Sequence, residues 1–203
     1  MFSSVITGGV GCGKSSACSM LRAHLGGVDQ WFSADECTQR LLKTPKVIEM
    51  LESAFGGTCF DKIEGQLFVN RSRLREIVFR DTEARKKLEG IIHPMVITSL
   101  DEQRTKAMEL GCDFFLAEVP LHYEIGCTVK ADLVIVVAAS RSMQRRRLME
   151  RRGLDDEMIE NILRSQWPIE AKVENADVVI WNDGDFSVLE AQVLSLARQF
   201  SLA

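Results

Sequence analysis

The feature that most limits what this chain can fold into is the run Gly8-Gly9-Val10-Gly11-Cys12-Gly13-Lys14-Ser15, which fits G-x-x-x-x-G-K-[ST] in full. Ahead of it, Ser4 to Thr7 reads as a short buried strand; after it, about Lys14 to Leu25 reads as a helix. Glycines let such a backbone curl so that several N–H groups point inward at phosphate oxygens with no Cβ in the way. The positive end of the following helix faces the same spot. Lys14 can reach the β- and γ-phosphates, and the Ser15 hydroxyl can ligate Mg²⁺. A glycine-rich turn with an incidental lysine does not explain the strand–loop–helix setting, so the run reads as a nucleoside triphosphate site.

Further along, Asp113 to Val119, Leu133 to Val137 and Val178 to Trp181 are apolar runs of strand length. Their apolarity is continuous rather than alternating, as in strands buried on both faces of a parallel sheet, and the fold class is α/β. Val47 to Phe55, Arg71 to Phe79, Thr82 to Ile92 and Met95 to Leu110 carry apolar residues at helical spacing. Only the turn-rich stretch from Gly56-Gly57 to Asn70 interrupts them. A helical insertion between strands is a natural wall for a second substrate, though packing alone produces the same pattern. A second helical block, Ser140 to Glu174, is the most arginine-rich part of the chain.

A length of 203 residues suits one domain with its own core. A net charge of −4 gives no global attraction for nucleic acid or an anionic membrane. Met1 to Gly9 has no basic start or signal-length apolar stretch, and the longest apolar run, Leu133 to Ala139, is only strand-sized, so a cytoplasmic protein is expected. Cysteines 12, 18, 37, 59, 112 and 127 show no zinc spacing and are expected as reduced thiols. No repeat or linker divides the chain. A GTPase would need N/T-K-x-D and D-x-x-G, which the sequence lacks, and large ATPases need more residues; a small kinase fits the length.

The loop is followed by Ala34-Asp35, Phe55-Gly56, Arg71-x-x-Leu74, Val78-Phe79, Leu88-Glu89 and His93-Pro94. Then come Val119-Pro120-Leu121 with Glu124, Gln144-x-x-Arg147-Leu148-x-x-Arg151, Gln166, Ala176-Asp177, Ile180 and Asn182-x-Gly184. In this order and spacing they resemble the dephospho-CoA kinase family, from the first strand to nearly the last helix. The chain departs from the family pattern at Ser33, where the first acid of an Asp-x-Asp motif usually stands, and at His122-Tyr123, where Leu-Phe is usual. Cys12 and Ser16 stand where small or hydroxyl residues are common.

The resemblance implies a P-loop kinase core with a parallel five-stranded sheet flanked by helices, plus a helical substrate-binding insertion and a helical lid. Residues 1–203 would form one domain: a nucleotide-binding core (1–35, 112–139 and 175–203), a helical acceptor-binding part (36–111) and a lid (140–174). It implies ATP-dependent phosphorylation of the ribose 3′-hydroxyl of dephospho-CoA, giving CoA and ADP, with Mg²⁺ accompanying ATP. ATP and dephospho-CoA would be the partners, with no nucleic acid or membrane. Two other readings stay open: a different small-molecule P-loop kinase, such as a nucleoside monophosphate kinase, or a non-catalytic nucleotide-binding relative.

Residue by residue, the resemblance has Asp35 orient, and deprotonate, the 3′-hydroxyl; the alternative for Asp35 is a helix N-cap. Gly9, Gly11, Cys12, Gly13, Lys14, Ser15 and Ser16 would bind ATP, with Asn182 and Gly184 framing the adenine. Arg147 and Arg151 lie one helical turn apart, where their guanidiniums share a face and can close over the phosphates as catalytic groups beside Lys14. Arg141, Arg145 and Arg152 project differently and are expected as a solvated face. Glu118 either holds a Mg²⁺-bound water or is an ordinary strand-end carboxylate. Leu121 and Arg71 are expected at the acceptor, Arg71 otherwise pairing with a glutamate, and His93 as a structural residue at a helix start. Cys12, at a helix N-terminus, is a candidate for a lowered thiol pKa and oxidative inhibition, or else simply a small residue the loop tolerates.

Overall fold

The computed structural model describes residues 1–25, 30–127 and 129–201, without the side chains of Leu25, Arg151, Arg152 and Ser201. The described residues fall into two compact units, Met1–Ser33 with Gln103–Ala203, and Ala34–Glu102.

The first unit is built on a five-stranded sheet. Its strands are β1 (Phe2–Gly8), β2 (Trp31–Ser33), β5 (Phe114–Glu118), β6 (Leu133–Ala138) and β7 (Val178–Trp181). They run in the order β2-β5-β1-β6-β7, and every neighbouring pair is parallel. β1 is the middle strand and is buried at every position from Ser3 on, the polar Ser3, Ser4 and Thr7 included. The entry end of the sheet is pinned by carboxylates: Asp132 Oδ2 accepts the Ser3 N–H at 2.8 Å, and Asp177 Oδ2 accepts the Val134 N–H at 2.7 Å.

Helix α1 (Lys14–Leu25) turns Ala17, Cys18 and Leu21 inward, a stripe at helical spacing. They join Leu189, Val193, Leu196 and Ala197 of α9 (Phe186–Ser201) in the main core, together with Ile6, Ile135 and Ile180 of the sheet. The arginine-rich block forms α6 (Arg141–Arg152), α7 (Asp156–Arg164) and α8 (Ile169–Glu174). Ser140 caps α6 by accepting from Met143 N, and Gly153 ends it in the left-handed conformation at φ +60.

The second unit contains α2 (Ala34–Leu41), α3 (Pro45–Phe55), a 3₁₀ turn at Gly56–Cys59 and α4 (Arg71–Arg80). The turn-rich stretch before Asn70 holds an antiparallel hairpin, β3 (Phe60–Ile63) and β4 (Gln66–Val69). Glu64 and Gly65 connect its strands with φ +49 and +84, the backbone that a tight two-residue hairpin demands.

The two helices expected on either side of His93-Pro94 are one, α5 (Thr82–Glu109), with Pro94 inside it. His93 is therefore a mid-helix residue rather than a helix start. Proline's ring crowds the carbonyl four residues back, and here that residue is Gly90, which has no side chain to restrict local adjustment. Burial of Ala84, Ile92, Val96, Leu100 and Ala107 along the helix outweighs the single backbone bond lost.

Candidate active site

The phosphate-binding loop leaves the carboxyl end of β1, the middle of the sheet, where α/β sheets of this kind hold their ligands. Two glycines are fixed by contacts rather than by the turn alone. A Cβ on Gly8 would lie 2.2 Å from the Val137 carbonyl oxygen, so β1 and β6 approach too closely there for any side chain. Gly13 adopts φ +85, and a Cβ on it would meet Asn182 Nδ2 at 2.2 Å.

Groups from distant parts of the chain hold the loop. Asn182 is buried at the end of β7 and donates from Nδ2 to the Cys12 carbonyl at 2.8 Å. Arg147 donates to the Gly11 carbonyl at 3.1 Å and to the Asn182 carbonyl at 2.9 Å, so its guanidinium spans the loop and the turn after β7. Gln144, one turn earlier on α6, is buried, donates to the Ala139 carbonyl at 3.0 Å and lies against Gly9. Gln166 accepts the Val10 N–H at 2.9 Å.

Lys14 begins α1 and its ammonium forms an ion pair with Glu118 at the end of β5; both side chains are largely withdrawn from solvent. Ser15 is exposed in the first turn of α1, and Ser16 is half-buried, its N–H given to the Gly13 carbonyl at 3.0 Å. Cys12 is wholly buried, and burial pushes its thiol up to about 11 against the opposing pull of the Ala139 and Gly9 backbone. The shift is the reverse of the fall expected at a helix N-terminus: desolvation outweighs the helix dipole, and the thiol is core packing beneath the loop.

Beyond Glu118, Thr7 Oγ1 donates to the Pro120 carbonyl at 3.0 Å, which ties β1 to the turn that carries Leu121, itself half-buried. In that turn Tyr123 stacks on Trp167 with ring centroids 5.5 Å apart and donates to the Asn175 carbonyl at 2.8 Å. Glu124 accepts the Trp167 N–H at 2.9 Å and pairs with Lys172 at 2.7 Å. Gly184 is exposed beside Val188.

Sequence reasoning missed Asp183. It accepts the Ser140 N–H at 2.8 Å and so joins the turn after β7 to the start of α6. Burial raises its carboxyl, but hydrogen bonds from Ser140 and Trp181 and the Arg147 charge outweigh that and hold it below the usual carboxylate value. Only its place beside Asn182 could have hinted at this. Arg141 and Arg145 are not a free solvated face: both pair with Glu160 of α7, and Arg145 also reaches Asp156 at 2.6 Å. Acidic partners eleven to nineteen residues away fall outside the within-helix spacing that sequence inspection tests. The Arg151 side chain lies outside the described residues, and so does that of Arg152.

In the second unit, Asp35 is an exposed second residue of α2. It lies inside the first turn and so is not the N-cap of that helix. Arg71 is exposed at the start of α4 and lines a cleft of about 740 Å³ with Lys43, Ile48, Glu52 and Phe68 among its walls.

A dephospho-CoA kinase family model matches residues 4–187. The dephospho-CoA kinase of Brucella abortus is 34% identical over 97% of this chain and 94% of its own length. That of Methylococcus capsulatus is 36% identical over 97% and 96%. Among solved structures, a Thermus thermophilus protein aligns at TM-score 0.73 and 28% identity over 98% of this chain and 97% of its own. The dephospho-CoA kinase from Campylobacter jejuni aligns at TM-score 0.66 and 26% identity over 99% and 98%. With its complete phosphate loop at the centre of a parallel sheet, the chain belongs to the dephospho-CoA kinase family, ATP-dependent enzymes of the last step of coenzyme A biosynthesis.

Proposed function

We propose that this chain transfers the γ-phosphoryl group of ATP to the ribose 3′-hydroxyl of dephospho-CoA in the cytoplasm. The observation that carries the reading is Lys14, a largely buried ammonium at the mouth of the phosphate loop, held ready by Glu118. In the reaction Lys14 exchanges that carboxylate for oxygens of the β- and γ-phosphates. The loop amides and the α1 N-terminus meet the same oxygens. Residues Gly9, Gly11, Cys12, Gly13, Ser15 and Ser16 form the phosphate cradle, with Asn182 and Gly184 beside the adenine.

Asp35 accepts the proton of the 3′-hydroxyl as O3′ bonds to the γ-phosphorus and the bond to the ADP oxygen breaks. Arg147 and Arg151 stabilise the charge that develops on the transferred group. Leu121 and Arg71 contact the acceptor. The Ser15 hydroxyl, exposed at the loop, and the Glu118 carboxylate are hard oxygen donors of the kind Mg²⁺ takes, and they would hold it directly or through water. Bound there, Mg²⁺ would neutralise part of the triphosphate charge.

The test is ADP release from Mg²⁺-ATP with and without dephospho-CoA, with mass analysis of the acceptor. Release that depends on the acceptor and yields CoA is expected. Asp35→Asn is expected to lower kcat by about 10²–10⁴-fold, the range for a lost general base. ATP binding with no CoA formed would reject the reading in favour of another acceptor or a binding role.

A further inference from the structure

Lys172 is wholly buried, and its Nζ lies 2.7 Å from Glu124 Oε1. The contact is an ion pair without a well-angled hydrogen bond, and Glu124 Oε2 is buried with no hydrogen-bond partner among the described residues. Such a pair is a poor stabiliser: removing two charges from water costs several kcal/mol per ion, and well-packed apolar residues commonly do as well or better. A role other than stability is therefore to be sought in what the pair holds.

Glu124 Oε1 also accepts the Trp167 N–H at 2.9 Å. The residue before Trp167 is Gln166, whose Oε1 accepts the Val10 N–H at 2.9 Å. Val10 lies between Gly9 and Gly11, the most pliant stretch of the phosphate loop, and Gln166 fixes its peptide plane from outside. Stacking of Tyr123 on Trp167, and the Tyr123 hydroxyl bond to the Asn175 carbonyl, brace the segment at both ends. A cradle of backbone amides works by being ordered before its ligand arrives. Gln166 supplies order at Val10, where the glycines on both sides supply none.

We propose that Glu124 and Lys172 are positioning residues for ATP, acting through Trp167 and Gln166 on the Val10 amide of the phosphate loop. The inference rests on the loop being the ATP site. It assigns a function to the buried charges in the segment after β5 and to α8, neither of which touches the nucleotide in the proposed mechanism.

The experiment is direct titration of ATP, alongside steady-state kinetics, on the full chain and on Gln166→Leu, Glu124→Leu/Lys172→Met and the triple combination. The apolar double variant removes the pair without leaving a charge buried, so it is expected to fold with an undiminished Tm. It and Gln166→Leu are each expected to weaken ATP binding about tenfold, with the dephospho-CoA KM within about twofold of the parent. The triple variant should be no weaker than the weaker of its parents, because all act through one contact. Parental ATP affinity in the apolar double, or losses that multiply in the triple, would overturn the proposal. If the double does not fold, Gln166→Leu carries the test, with parental ATP affinity as the overturning result. A parent chain that binds no ATP refutes instead the reading of the loop itself.

Discussion

Gly13 illustrates how much of the site is decided by single atoms. The motif required a glycine, but the neighbour that enforces it, Asn182 Nδ2, comes from the other end of the chain. Gly13→Ala combines a left-handed backbone with a clash against a buried amide, and should weaken ATP binding by at least about 100-fold in a titration. His122 offers a pH test. Burial lowers its pKa below the ordinary 6.5, aided by Lys172 and opposed by Glu124. Folding therefore favours the neutral ring, so this contribution to stability is complete above about pH 6.5 and is lost as pH falls through the lower, folded value. An NMR titration should give a midpoint below 6.5, and His122→Phe should flatten the fall of Tm in that window. His93 shifts the same way through burial, so the variant will not abolish the fall entirely. Neither the buried Cys12 thiol nor the partners of Arg141 and Arg145 could be read from sequence, because each depends on neighbours that only the folded chain supplies.

At the scale of elements, the apolar runs were legible because strands buried on both faces need no alternation to be recognised, and β5 and β6 fall where two of them lie. β7 also falls on its run, but as an edge strand it leaves Val179 and Trp181 exposed instead of being buried on both faces. The hairpin β3–β4 was not legible: its exposed face offers Gln66 and Phe68 outward, and its strands are only four residues each. α5 was misread as two helices because proline carries a strong local preference that burial along the rest of the helix overrides. The hairpin turn can be tested at Gly65. A Cβ there would meet nothing within 4 Å, so Gly65→Ala is penalised by its φ of +84 alone. Loss of about 1–2 kcal/mol in a denaturant titration is expected, with ATP affinity unchanged. The edge strand β7 is guarded by Gln192 of α9, which accepts the Trp181 N–H at 3.0 Å and donates to its carbonyl at 2.9 Å. With both groups occupied, that end of the sheet offers less for a foreign strand to pair with.

Over the whole molecule, the loop, the turn after β5, the start of α6 and the turn after β7 are tied together through β1, α6 and the segment at Gln166-Trp167, so a ligand in the loop should stabilise the first unit broadly. At about 100 times its Kd, ATP should add roughly 2.7 kcal/mol, seen as a Tm rise of about 5–10 °C. Lys14→Met should show little of this rise. Among the described residues no helix is long and apolar enough to cross a membrane.

The bond from Asn182 to the Cys12 carbonyl joins residues 170 apart in the chain. During synthesis the phosphate loop leaves the ribosome well before the residue that closes it. A nascent chain thus carries every residue of the ATP motif while 170 further residues are added and the pocket stays unfinished. A finished pocket therefore waits for β7 and the turn after it, and the earlier stages of folding run without this contact.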